Sequence, residues 1–304
     1  MRIGYACLNN TLAIDKIKVN RSCIRKTFLE KGIAYASSLA LQNIIDLEFV
    51  VEWNIQNAIP LYRMSSDMFP WMSEYELGEL PEIERIETIL RRIGEKVKQH
   101  HHRLTYHPGP FNVLASPDHN VVAKTSKELR QHAEIMDLMQ LPLTPFAKIN
   151  IHVGGAYGDK VAALDRFALN FEKLPDAVQR RLTIENDDKA NMYAVQDLLL
   201  LHSKIGIPIV FDYLHHQFCA GNYTTAEAFH AAVSTWASGI TPVVHYSSSK
   251  KQFEDATAMA AAHADYIYEQ IPRYGMNVDI VLEAKAKELA VLRYHDQFES
   301  KVSL

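Results

Sequence analysis

The stretch Lys148-Ile149-Asn150-Ile151-His152, followed by Val153-Gly154-Gly155-Ala156-Tyr157-Gly158 and a helical pattern over Lys160 to Phe171, holds one whole unit of this chain. A short apolar run ends in a residue able to ligate a metal, a glycine-containing loop follows, and an amphipathic helix returns. Worked outward, the unit recurs. His107 closes the run beginning at His102, Glu185 follows Leu182-Thr183-Ile184, and Asp212 follows Pro208-Ile209-Val210-Phe211 with His215 three residues beyond. His245 follows Val243-Val244, and Glu283 follows Asp279-Ile280-Val281-Leu282. If the strands are parallel in one barrel, their carboxyl ends share a face, and these side chains converge there as catalytic residues do in barrel enzymes.

Short runs rich in Val and Ile alternate with longer helical patterns, the signature of βα units around a parallel sheet. Strands are predicted near Ile3–Cys7 and Ile59–Met64, and then at the six sites above. Helices are predicted near Glu30–Asn54, Pro81–Gln99, Val121–Leu138, Lys160–Phe171, Met192–Ile205, Thr224–Trp236 and Ala260–Gln270, with a closing helix ending near Arg293. Strict alternation of eight strands and eight helices gives an α/β fold, a (β/α)8 TIM barrel with a metal site at the carboxyl-terminal face. No glycine-rich phosphate turn follows the first strand, as a doubly wound dinucleotide fold would require. One domain over residues 1–304 is the simplest organisation, with 295–304 a frayed tail.

A length of 304 residues with 48% hydrophobic content supports a large core. No apolar run approaches the roughly 20 residues that cross a bilayer, and the first residues lack the pattern of a secretory signal. Three widely spaced cysteines (Cys7, Cys23, Cys219) indicate no disulfide framework, which suits a reduced, cytoplasmic setting. The net charge of −4 argues against a general nucleic-acid coat but not against a local basic surface.

A lone ionisable residue at a strand end is ordinarily a hydrogen-bonded polar group; seven candidates over six successive strands are not ordinary. Mixed imidazole and carboxylate ligands suit Zn²⁺, Mn²⁺ or Fe²⁺ better than Ca²⁺. No cysteine belongs to the set, against a structural zinc site. Seven ligands exceed the needs of one ion, so two or three ions with bridging carboxylates are expected. Such clusters suit phosphodiester hydrolysis, by activating a water and stabilising the leaving oxygen, and they also serve sugar isomerases. His216 is read as second shell or surface. His100-His101-His102 falls on the opposite face, as a solvated or helix-capping run, and His263 lies at a helix amino end, where spacing alone makes it a surface residue.

The segments Gly4-Tyr5-Ala6-Cys7-Leu8-Asn9, Tyr62-Arg63-Met64-Ser65-Ser66-Asp67, His107-Pro108-Gly109, His152 to Gly158, Glu185-Asn186-Asp187, Asp212 to His216 and Glu283-Ala284-Lys285 together resemble the UV damage endonucleases. They occur in the family's order over nearly the whole chain. The family is similar in fold to the endonuclease IV type of abasic-site nuclease. The resemblance implies a repair enzyme that nicks damaged double-stranded DNA immediately 5′ to cyclobutane dimers and 6-4 photoproducts, leaving 3′-hydroxyl and 5′-phosphate ends without ATP. It implies one ion on His107, His152 and Glu185, and a second on Glu185, Asp212, His245 and Glu283. A third ion would take His215 and His263, with manganese the usual activator. Glu185, His107, Asp212 and Glu283 are the expected catalytic set.

Two positions depart from the family pattern. Val243 stands where the family carries a modified lysine, and Pro110-Phe111 where it places a glutamine and an aromatic that probe the damaged helix. Phe111 can still wedge between bases. Tyr5 and Asn9 match positions near a flipped lesion, where an aromatic can stack on an extruded base. Tyr157, Lys250, Lys251, Lys285 and Lys287 complete the expected DNA contacts. A monomer is expected. The alternatives are an abasic-site endonuclease, a sugar isomerase or epimerase on the same barrel, and a damage-recognition module with a structural metal.

Overall fold

The computed structural model describes residues 1–299. Eight strands close into a barrel in sequence order: β1 (Ile3–Ala6), β2 (Leu61–Met64), β3 (Arg103–Tyr106), β4 (Ile149–Ile151), β5 (Leu182–Glu185), β6 (Ile209–Asp212), β7 (Val243–Tyr246) and β8 (Asp279–Leu282). Every neighbouring pair is parallel, including β8 on β1, which leaves no open sheet edge. At the β1–β2 seam, a Cβ on Gly4 would stand 1.8 Å from the carbonyl oxygen of Leu61, so only glycine fits.

Alternate residues of each strand face opposite ways. The outward set joins the helices in the main core, where Tyr62, Leu104, Ile149, Ile184, Phe211 and Val244 pack. The inward set is different. Ala6, Leu61, Val210, Val243 and Val281, one from each of five strands, form a small separate cluster with Trp236. The remaining interior is polar: Arg103, Thr105, Lys148, Asn150, Thr183 and Asp279 are all buried.

At the amino end Arg103 is saturated. Its Nε donates to Phe146 O (2.7 Å), Nη1 to Thr241 O (2.7 Å) and Asp279 Oδ2 (2.9 Å), and Nη2 to Pro145 O (2.9 Å). Phe146 stacks over its guanidinium at 4.7 Å, and Arg2 contributes a backbone hydrogen bond of 2.7 Å to Asp279.

The helices match the predicted set with exceptions. The first long one, Arg25–Gln56, starts earlier and is broken at Gly32, whose φ is 69°. No helix covers 260–270: after β7 comes only the short helix Lys250–Phe253, so the strict alternation fails there. The apolar residues of that segment, Ala264, Ile267 and Ile271, are buried without helical periodicity to serve. Beyond the helix Glu288–Tyr294 the chain continues as a π-helical turn, His295–Glu299, instead of fraying; the rest of the predicted tail lies outside the described residues. His102 is buried, not solvated, and burial pushes its imidazole down to about 4. No helix among the described residues is long and apolar enough to cross a membrane.

Candidate metal centre

Because the strands are parallel and in register, their carboxyl ends deliver the candidate ligands to one place. Glu185 and Asp212 are the last residues of β5 and β6, His245 lies inside β7, and His107, His152 and Glu283 each stand one residue past a strand. Two groups of donor atoms result: His107, His152 and Glu185, and Glu185, Asp212, His245 and Glu283. Within each group all donors lie within 4.8 Å of one another, and Glu185 belongs to both.

Fully buried Glu185 is the hub. Its Oε2 lies 3.0 Å from His107 Nε2, and its Oε1 lies 3.1 Å from His245 Nδ1 and 3.5 Å from His215 Nδ1. Asn150 donates its amide to Oε2, and Thr183 holds Asn150 in that orientation by donating to its Oδ1 at 2.8 Å. Asp212 is divided. Its Oδ1 caps the next helix by accepting from His215 N at 2.8 Å, while Oδ2 is buried with no hydrogen-bond partner. An acceptor left bare in the interior costs about 1–3 kcal/mol, more for a charged group, so it is a site for a cation rather than a resting contact.

The electrostatics agree with that reading. Burial pushes Asp212 up to about 7, and burial pushes His245 down to about 4, leaving a neutral imidazole able to ligate. His215 would also fall with burial, but Asp212 and Glu185 outweigh it and raise the imidazole to about 9. Burial would raise Glu283, but the paired Arg63 guanidinium and His245 hold it below the usual carboxylate range. The donors suit a divalent ion: three carboxylates and three imidazoles around one unpartnered oxygen, with no thiolate.

His215 and His263 stand outside both groups but close to them. His215 Nδ1 lies 2.9 Å from Asn186 O, and His263 Nδ1 lies 2.7 Å from Glu283 O, which leaves Nε2 of each free of these contacts. His263 is on no helix; it forms an isolated antiparallel bridge with Ser249, because the predicted helix there is absent. His216 is buried against Phe211. Val243 lies in the apolar interior cluster on the strand face of His245, and a different lysine reaches that histidine: Lys148 Nζ is 3.2 Å from His245 Nε2.

The expected DNA contacts divide. Phe111 is 88% exposed, and Pro110, Lys251 and Lys285 are exposed beside half-buried Lys250. Lys287 is half-buried too. Tyr157, with φ 51°, is half-exposed and covers Arg166 at 5.5 Å. Tyr5 is fully buried: its hydroxyl donates to Asn54 Oδ1 at 2.8 Å and accepts from Asn9 Nδ2 at 2.9 Å. Asn9 is buried as well and caps a helical turn through Leu12 N. Both therefore serve the core and the cap, correcting the expectation that they meet DNA. A cavity of about 410 Å³ opens beside His152 and His215, walled by Pro108-Gly109-Pro110, Gly154-Gly155, Asp187 and Lys189. Gly154, at φ 101°, admits Val113 where a Cβ would clash at 2.6 Å.

Sequence reasoning missed Arg63, Asn150 and Lys148. A signal existed: Lys148, Asn150 and His152 alternate along β4, as do Arg103, Thr105 and His107 along β3, marking a polar inner face.

A family profile described as UV-endonuclease UvdE matches residues 1–303. The chain is 35% identical to the UV-damage endonuclease of Schizosaccharomyces pombe, over 98% of this chain and 51% of that protein. It is 32% identical to the UV DNA damage endonuclease of Clostridium perfringens, over 96% of this chain and 69% of that one. It thus spans about half the length of the yeast relative. The crystal structure of SacUVDE superposes with a TM-score of 0.86 at 29% identity, covering 100% of both chains. A D-psicose 3-epimerase from Clostridium cellulolyticum H10 superposes with a TM-score of 0.55 at 12% identity over 79% of each chain, a likeness of fold alone.

Proposed function

Because the chain belongs to the UV-damage endonuclease family, we propose that it hydrolyses the DNA phosphodiester immediately 5′ to a UV photoproduct, leaving 3′-hydroxyl and 5′-phosphate ends. The observation that carries this reading is the pair of donor groups joined through Glu185, with Asp212 Oδ2 unpartnered between them. Divalent ions bound there, Mn²⁺ in this proposal, polarise the scissile phosphate, activate water and stabilise the departing oxygen. His107, His152 and Glu185 hold one ion; Glu185, Asp212, His245 and Glu283 hold the second. His215 and His263 turn their free nitrogens toward a third.

The rest falls to the chain's own residues. Asn150 and Thr183 fix the Glu185 carboxylate, and Arg63 fixes Glu283, so the ligands meet a cation without rearranging. Phe111 and Pro110 stand on a loop at the mouth of the cavity that leads to His152 and His215. Phe111 wedges into the weakened base step as the lesion leaves the stack, and a lesion's poor stacking lowers the few kcal/mol of opening cost. Lys250, Lys251 and Lys285 take phosphates, and Tyr157 borders the lesion strand.

The test is nicking of UV-irradiated against untreated plasmid, with Mn²⁺ and with chelator, alongside an abasic duplex. Nicking confined to irradiated DNA and metal is expected, and Glu185→Ala abolishes it. Wild-type-like cleavage by that variant refutes the assignment, and a strong preference for the abasic duplex replaces it with an abasic-site activity.

A further inference from the structure

The amine of Lys148 is a fully buried cationic group inside the barrel that nothing above employs. It stands just before β4, and its Nζ lies 3.2 Å from His245 Nε2. The other nitrogen of that ring faces the centre, with Nδ1 3.1 Å from Glu185 Oε1 and 3.3 Å from Glu283 Oε1. One imidazole is thus clamped between the carboxylates of the second donor group and a lysine.

The ring chemistry fixes what the clamp must do. A neutral imidazole carries one proton, so a ring that gives the Nδ1 lone pair to a cation keeps its proton on Nε2 and donates it there. Histidine ligands ordinarily donate that proton to a carboxylate, a backbone carbonyl or water. Here the amine of Lys148 occupies the position, and an amine accepts through its nitrogen lone pair. Val243, two residues before His245 on the same strand face, offers only methyl groups.

We propose that Lys148 is a positioning residue of the metal centre: it accepts the Nε2 proton of His245 and so holds Nδ1 toward the ion shared with Glu185, Asp212 and Glu283. The proposal rests on the metal-centre reading, not on the choice of DNA substrate. It assigns Lys148 to one donor group only, since His107 and His152 lie on the other side of Glu185.

The test is Mn²⁺ binding by calorimetry on the intact chain, with Lys148→Met and Lys148→Gln. Methionine fills similar volume without a nitrogen lone pair, whereas glutamine restores an acceptor. Lys148→Met should weaken one of the tight sites by roughly 10- to 100-fold, the usual effect of losing an outer partner of a ligating histidine. The other site should stay unchanged, and Lys148→Gln should recover most of the loss. A second measurement needs no substitution: in wild-type protein loaded with diamagnetic Zn²⁺, long-range ¹H–¹⁵N spectra should place the His245 proton on Nε2. A proton on Nδ1, or a folded Lys148→Met that binds both ions as wild type does, overturns the positioning role alone. Wild-type protein that binds no ion overturns the centre and this proposal together, whatever its nicking activity.

Discussion

The two ends of this barrel bury charge in opposite ways. At the amino end, Arg103 and Asp279 are both fully enclosed and paired at 2.9 Å, and the remaining guanidinium nitrogens donate to backbone carbonyls. At the carboxyl end, Glu185, Asp212 and Glu283 crowd together against imidazoles and one guanidinium, and Asp212 Oδ2 has no partner. Buried charges are tolerated when paired and hydrogen-bonded. The first arrangement satisfies that condition from within the chain. The second satisfies it only with a cation, and so one end reads as structure and the other as a site.

Reciprocal substitutions give the largest test of that contrast. Arg103→Met strands Asp279 in the interior and should cost about 3–5 kcal/mol in denaturant unfolding, the range for breaking a buried pair. The folded fraction should keep its nicking rate. Glu185→Gln should do the reverse, losing metal binding and nicking while costing much less stability, since it relieves crowding of like charges. Equal stability losses at the two ends would erase the distinction drawn here.

The next effect is linkage. An ion that binds only the folded state adds about 2.7 kcal/mol at a free concentration 100 times its Kd. Mn²⁺ should therefore raise Tm in wild type and not in Glu185→Gln, as a thermal scan reads. Affinity should also fall with acid. Burial pushes Asp212 up to about 7, so below that pH the metal-free carboxyl is protonated and the ion must displace the proton. Mn²⁺ affinity should decline by up to about tenfold per pH unit below 7 and level off above it. Asp212→Asn should flatten that slope; a pH-independent wild-type affinity would mean Asp212 is not a ligand.

The same contrast explains what could be read from the sequence. The strand-end ligands were legible because parallel topology turns sequence position into spatial convergence, and each of the six strands carries its own marker residue. The amino-end pair was not, because Arg103 and Asp279 sit 176 positions apart and neither stands at the catalytic end of a strand. The β7–β8 connection was misread as a helix because Ala260-Ala261-Ala262 has high helix propensity, yet tertiary contacts of Ser249, His263 and Ala264 hold it extended. Tyr5 fails as a stacking residue for a similar reason. Whether a strand residue points inward to the site or outward to the core is a matter of register, and Tyr5 pairs in the outward layer with Tyr62, their ring centres 5.1 Å apart.

A smaller effect separates the loops that touch neither end's charges. Phe111 is 88% exposed and packs on nothing it would destabilise by leaving, so Phe111→Ala should change stability by under about 0.5 kcal/mol. Stacking of a base on an aromatic is worth about 1–3 kcal/mol, so binding to irradiated duplex should weaken by roughly 5- to 100-fold while Mn²⁺ affinity stays constant. Leucine at this position retains an apolar wedge and should recover part of the loss. A Phe111→Ala variant that binds and nicks irradiated DNA normally would show that the carboxyl end recognises damage through the cavity beside His152 and His215, without a wedge, and would move the search for selectivity to Asp187 and Lys189 on its wall.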